Sequence, residues 1–83
     1  MAPLTVNVRL SGPLAASLGA RRSVGMEEGA TVYDLLEAIA LQAGIDPGDA
    51  GSLAAVAGGS FLARSQALTD GDEVDVLVPV AGG

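Results

Sequence analysis

The segment Thr31–Gly44, which reads TVYDLLEAIALQAG, decides the fold because it carries the clearest helical pattern in the chain. Its apolar residues recur at spacings of three and four, which places them on one face of a helix: Val32, Leu35, Leu36, Ile39, Ala40 and Ala43. Thr31 is a suitable N-cap, Asp34 lies where a capping box needs it, and Gly44 supplies a stop. The segment therefore predicts one amphipathic helix that packs its apolar stripe on a sheet.

Two strands are predicted before this helix. Residues 4–10 alternate apolar and polar side chains, which is typical of a strand with one buried face; that face would hold Leu4, Val6, Val8 and Leu10. Residues 22–26 alternate more weakly and are predicted to pair antiparallel with the first strand, because the connection is short. Residues 14–19 of that connection can form a short helix after Gly12-Pro13.

Three further strands are predicted after the helix. Gly58-Gly59 is a hairpin signal, so residues 53–57 and 60–63 are interpreted as the strands that it joins. Asp70-Gly71-Asp72 forms a turn into residues 73–78, and Pro79 should end that strand. The order ββαβββ lacks the repeated helical crossovers of a doubly wound fold. It favours an α+β domain in which one main helix packs against a mixed sheet.

Composition and charge indicate one small domain and exclude several functions. The chain has 83 residues, 49% of them hydrophobic and only two aromatic, so one domain with an aliphatic core is expected. A net charge of −6 disfavours nucleic acid and favours a basic protein partner. No stretch approaches the roughly 18 apolar residues of a membrane helix, and the start lacks a signal-peptide pattern. A cytoplasmic protein without a membrane partner is therefore expected.

The chain has no histidine, cysteine or lysine. This removes the usual base for serine activation, the thiolate nucleophile and the Schiff-base amine, so no catalytic residue is expected. The preferred zinc ligands are missing too, and residues 70–73 lack the length of a calcium loop, so no metal site is expected. Without lysine, the chain also cannot form lysine-linked chains of itself.

The sequence ends on Gly82-Gly83. Glycine lacks a Cβ, so a glycine tail can enter a narrow active site and present its terminal carboxylate. A partner that uses ATP could convert this carboxylate into an acyl-adenylate, from which sulfur or an amine displaces AMP. A loose terminus is the simpler interpretation of the dipeptide alone.

Several segments together resemble one family over nearly the whole chain. They are the opening hairpin, residues 28–36 (EGATVYDLL), residues 68–74 (LTDGDEV) and residues 79–83 (PVAGG). These segments resemble the MoaD/ThiS-type sulfur carriers, and the ending resembles the branch of the molybdopterin synthase small subunit (MoaD). The resemblance implies a ubiquitin-like β-grasp domain at residues 1–78 and an extended, flexible tail at residues 79–83.

The resemblance also implies a function and a set of site residues. Gly83 would be adenylated by an E1-like enzyme (MoeB/ThiF-like) that uses ATP, and then converted to a thiocarboxylate that donates sulfur. Pro79, Val80, Ala81 and Gly82 would thread into the partner's active site. The carrier itself would be no enzyme and bind no cofactor. In the molybdopterin branch, the sulfur acceptor is the large subunit (MoaE-like).

Family members present apolar residues to both partners on the outer face of the sheet, and the matching positions here are Phe61 and Leu77. Leu77 is out of phase with Val74 and Val76, so alternation also predicts that it points away from the core. Two alternatives stay open. The sulfur could serve cysteine, thiamin or natural-product biosynthesis, or the chain could be a ubiquitin-like interaction or modifier module that delivers no sulfur.

Overall fold

The computed structural model describes residues 3–44 and 53–77. Its elements there are β1 (Leu4–Leu10), α1 (Pro13–Leu18), β2 (Arg21–Met26), α2 (Val32–Gln42), β3 (Ala54–Ala57), β4 (Ser60–Phe61) and β5 (Glu73–Leu77). The predicted order of strands and helices is confirmed. Two strands are shorter than predicted. β3 begins at Ala54 and not at residue 53, and β4 ends at Phe61 and not at residue 63, because the chain then turns towards the start of α2.

The strands form one mixed sheet in the order β2-β1-β5-β3-β4. β1 pairs antiparallel with β2, as predicted, and parallel with β5. β3 pairs antiparallel with both β5 and β4. β5, the last strand among the described residues, therefore lies in the centre of the sheet, between the two hairpins.

The core lies between α2 and one face of the sheet. Its buried members are all aliphatic, as the composition predicts: Val6, Val8, Leu10, Leu14, Val24, Ala30, Val32, Leu35, Leu36, Ile39, Ala40, Leu53, Ala55, Leu68, Val74 and Val76. Leu4 and Ala43, which the pattern also assigns to the core, are half-buried and pack against its margin. The other face of the sheet is not covered by either helix.

The start of α2 is fixed by its own cap and by a distant loop. Thr31 and Asp34 form the predicted capping box, in which each side chain bonds the other residue's backbone N–H. The next two N–H groups donate to carbonyl oxygens of the loop after β4, each at 2.9 Å: Val32 to Gln66 and Tyr33 to Arg64. These bonds satisfy N–H groups that a helix start otherwise leaves unpaired.

Candidate functional site

The predicted reactive end of the chain lies outside the described residues. This applies to Pro79, Val80, Ala81, Gly82 and Gly83, so their roles and the proposed division between domain and tail stay predictions. The last described residue is Leu77, which ends β5. The part of the candidate site that the structure describes is therefore β5 and the sheet face around it.

The turn before β5 is built by its own carboxylates. Asp72 N–H donates to the Thr69 carbonyl at 3.1 Å, and Gly71 between them has a φ of 86°, a conformation that favours glycine. The Asp72 carboxylate accepts from Thr69 N–H and the Asp70 carboxylate from Thr5 N–H, both at 2.8 Å. The Asp70 carboxylate thus anchors the turn to β1, and the Asp72 carboxylate closes the turn itself. Within residues 3–44 and 53–77, no cluster of acidic side chains could hold a metal ion.

One row of residues crosses all five strands on the open face. Residues that lie directly opposite each other in paired strands share a face of the sheet. The register gives the row Arg21, Arg9, Asp75, Val56 and Phe61, from β2 to β4. Leu77 lies opposite Ala54, two residues further along β5 than Asp75. β5 divides this face into a charged side over β1 and β2 and an apolar side over β3 and β4.

The apolar side contains both predicted interface residues. Phe61 is 75% exposed and lies opposite the half-buried Val56. Leu77 is half-buried, while Val74 and Val76 of the same strand are buried in the core, so the predicted alternation is present. We call Ala54, Val56, Phe61 and Leu77 the apolar strip. Sequence reasoning missed Ala54 and Val56. The alternation of residues 53–57, in which Leu53 and Ala55 are buried, indicates that the side chains of Ala54 and Val56 lie on the open face.

The hairpin between β3 and β4 sets the position of Phe61. Gly58 and Gly59 have φ values of 60° and 83°. Positive φ at both central residues is the condition for the two-residue turn that best matches the twist of paired strands. The predicted hairpin is confirmed, and its register places Phe61 opposite Val56.

The charged side is organised by one ion pair. Arg9 Nε donates to Asp75 Oδ1 at 2.6 Å and Arg9 Nη2 to Asp75 Oδ2 at 3.0 Å, with the two side chains 63% and 38% exposed. The hydrogen bonds from Arg9, and then its charge, hold the pKa of Asp75 below its usual value. The same contacts raise the pKa of Arg9. Sequence reasoning missed this pair, because the parallel register of β1 and β5 cannot be read from local patterns.

A shallow groove of about 350 Å³ lies over β1 and β2. Its lining residues are Asn7, Val8, Arg9, Arg21, Arg22, Ser23 and Glu73. Three of the chain's four arginines therefore line this groove, Arg9 and Arg21 from the open face and Arg22 from the opposite face of β2. In the part of the chain that the structure describes, neither helix is long and apolar enough to cross a membrane.

Comparison with known proteins identifies the fold. The model of the ThiS family matches residues 8–83. No curated protein matches the sequence. A solved structure of a putative molybdopterin converting factor subunit 1 from Pyrococcus furiosus has 22% identity and a TM-score of 0.74, over 93% of this chain and 99% of that one.

Two other similar structures are ubiquitin-like proteins of archaea. Small archaeal modifier protein 1 of Haloferax volcanii has 22% identity and a TM-score of 0.72, over 93% of this chain and 99% of that one. The ubiquitin of Caldiarchaeum subterraneum has 14% identity and a TM-score of 0.70, over 99% of this chain and all of that one. At these identities the likeness concerns the fold, and the predicted ubiquitin-like β-grasp is confirmed.

Proposed function

The chain belongs to the ThiS family of ubiquitin-like sulfur carriers, and on that premise we propose that Gly83 is the residue that carries sulfur. The observation that supports this most directly is the extent of the family match, which runs through the terminal Gly82-Gly83. An E1-like enzyme of the MoeB/ThiF type would adenylate the Gly83 carboxylate. The resulting thiocarboxylate would then donate sulfur to an acceptor enzyme.

The proposed chemistry needs no catalytic side chain in the carrier. A carboxylate oxygen of Gly83 attacks the α-phosphorus of ATP, pyrophosphate leaves, and a mixed anhydride with AMP remains. Sulfide, or an equivalent at the same oxidation level, then attacks the acyl carbon, AMP leaves, and loss of a proton gives the Gly83 thiocarboxylate. ATP is held by the activating enzyme, while Pro79, Val80, Ala81 and Gly82 deliver the carboxylate to it.

The fold supports this role because one face of the sheet packs in the core, while the other face is left to contact a partner. The tail residues follow β5, which is paired on both sides, with β1 and β3. The open face of the sheet carries the apolar strip, and Phe61 there is 75% exposed although it is one of only two aromatic residues in the chain. Exposed aromatic side chains of this kind are typical anchors of protein interfaces. We assign Phe61 and Leu77 to contact with the activating and acceptor enzymes.

We further propose that the acceptor is the MoaE-like large subunit of molybdopterin synthase. The ending Pro79-Val80-Ala81-Gly82-Gly83 and the likeness to a putative molybdopterin converting factor subunit 1 favour this branch. Acceptors in cysteine, thiamin or natural-product biosynthesis are the alternatives within the same chemistry. The likeness to small archaeal modifier protein 1 favours a second function, attachment of Gly83 to a lysine of another protein.

Intact mass spectrometry tests the proposal. The chain is incubated with a cytoplasmic E1-like enzyme, ATP and a sulfur source, beside a variant that lacks Gly83. We expect a mass gain that matches one oxygen replaced by sulfur, located on the C-terminal peptide and absent from the variant. An isopeptide adduct without any thiocarboxylate would favour the modifier function, and adenylation of the shortened variant would exclude Gly83 as the reactive residue.

A further inference from the structure

We propose that Arg9 and Arg21 bind a carboxylate of the activating enzyme. This inference rests on the proposed function, since it specifies the chemistry of the enzyme surface that receives the carrier. The enzyme would then hold the open face at two places, with an apolar contact on the strip at β3 and β4 and an acidic side chain over β1 and β2. The strand that precedes the tail lies between these two places.

The first observation is an excess of positive charge in the row across the sheet. Arg9 and Arg21 lie directly opposite each other on β1 and β2. Both oxygens of Asp75 accept from Arg9, at 2.6 and 3.0 Å. Among residues 3–44 and 53–77, no hydrogen bond or ion pair of the Arg21 side chain is found. Like charges directly opposite each other destabilise a pair of strands.

The second observation is the donor character of the groove beside these arginines. Ser23 Oγ donates to Asn7 Oδ1 at 3.2 Å, which leaves the Asn7 amide group as a donor. Arginine side chains are donors only, and their planar fork fits a carboxylate bidentately. Glu73 lies opposite Asn7 in the same groove. Its negative charge also acts on Arg9, so it disfavours a carboxylate there and favours the side of the Arg9–Arg21 pair that lies on β2.

The third observation is the position of the arginines relative to the strip. Strands lie about 4.8 Å apart in a sheet, so Arg21 on β2 and Phe61 on β4 each lie about 10 Å from β5. A partner that contacts both therefore spans the strand that leads into the tail. The apolar strip supplies contact area, and the arginine pair would fix the orientation.

Charge also explains why such a contact would be selective. The chain carries a net charge of −6, so a generally positive enzyme surface attracts it without defining an orientation. A single acidic side chain opposite Arg9 and Arg21 defines the register of docking, and a basic side chain at that place would repel the carrier. The pair thus selects among enzymes that all accept a glycine tail.

Steady-state kinetics of pyrophosphate release tests the inference, with Arg21→Glu compared to Arg64→Glu. The two variants change the net charge equally, but Arg64 lies in the loop after β4, outside the groove, and donates to the Leu53 carbonyl. We expect Arg21→Glu to raise the KM for the carrier about tenfold, with kcat unchanged, and Arg64→Glu to change KM less than about twofold. Arg21→Lys should retain most of the affinity, and the effect should shrink at high salt.

The outcomes separate this inference from the proposed function. If the unaltered chain is adenylated but Arg21→Glu and Arg64→Glu have equal KM values, the inference is wrong and the proposed function stands. If the unaltered chain is neither adenylated nor bound by competent E1-like enzymes, both are wrong. An acidic-to-arginine substitution in the enzyme that restores the KM of Arg21→Glu would identify the partner carboxylate. Arg21 is exposed, so circular dichroism should show both variants folded.

Discussion

The two faces of the sheet differ in what holds their side chains in place. On the inner face, Val74 and Val76 of β5 are 2% and 1% exposed and pack beneath α2. On the open face, Asp75 is held by Arg9 and Leu77 is half-buried. The same strand therefore contributes to the core with one set of side chains and to the open face with the other. Substitutions on the inner face should change stability, and those on the open face should change recognition.

The largest effect is expected from a cavity in the core. Leu36 is 1% exposed, so Leu36→Ala should lower the free energy of unfolding by about 2–5 kcal/mol, because it removes apolar burial and leaves a void. Leu41 lies on the same helix and is 63% exposed, so Leu41→Ala should change stability by less than about 0.5 kcal/mol. Urea unfolding of both variants measures the difference. Equal losses would contradict the assignment of the inner face as the core.

The second largest effect is expected on recognition of the carrier by the activating enzyme, and not on the stability of the fold. Phe61→Ala removes a side chain that is 75% exposed, so the free energy of unfolding should change by less than about 0.5 kcal/mol. The KM for adenylation should rise about tenfold, as for the loss of an aromatic anchor in an interface. Tyr33→Ala is the matched control, since Tyr33 is 42% exposed on α2, away from the open face. A larger rise in KM for Tyr33→Ala would place the interface on the helix side.

A smaller effect is expected from the turn that positions Phe61. Gly59 has a φ of 83° and nothing within 4 Å of an added Cβ, so Gly59→Ala should cost about 1–2 kcal/mol of backbone strain alone. Gly25 also has open space for a Cβ but no positive φ, and Gly25→Ala should be neutral or stabilise slightly. Thermal unfolding compares the two variants. Equal midpoints would show that the hairpin tolerates alanine at this position.

The smallest effect is expected from the ion pair on the open face. The folded-state pKa of Asp75 is lowered below its ordinary value of 3.8, mainly by the hydrogen bonds from Arg9. The stabilisation is therefore present above pH 3.8 and is lost as the pH falls through the lowered pKa. Asp75→Asn should make stability less dependent on pH across that acidic range. Urea unfolding at several pH values tests this, and identical pH profiles would show that the pair contributes nothing measurable.

Local patterns were sufficient to predict most of the fold. The alternation in residues 4–10, the period of residues 31–44 and the pair Gly58-Gly59 each depend on near neighbours, and each predicted element is present. The capping box that was predicted from Thr31 and Asp34 is also present. Phe61 and Leu77 were placed on the outer face by resemblance, and the register puts both on the open face.

Contacts between distant residues could not be predicted in this way. Arg9 and Asp75 are separated by 66 positions, and they meet only because β5 pairs parallel with β1 at one register. Nothing near either residue in the sequence indicates that pairing. The opposition of Arg9 and Arg21 depends likewise on the register of the first hairpin. The charged side of the open face was therefore visible only in the structure.

The central position of β5 also affects when the sheet can form during synthesis of the chain. Without β5, the hairpin of β1 and β2 and the hairpin of β3 and β4 have no strand between them, because each pairs with β5 and not with the other. A ribosome releases the N-terminal part of a chain first, so the sheet can close only after residue 77 has emerged. The open face and the strand that precedes the predicted tail are thus completed together. Under the proposed function, an unfinished chain offers an activating enzyme neither of them.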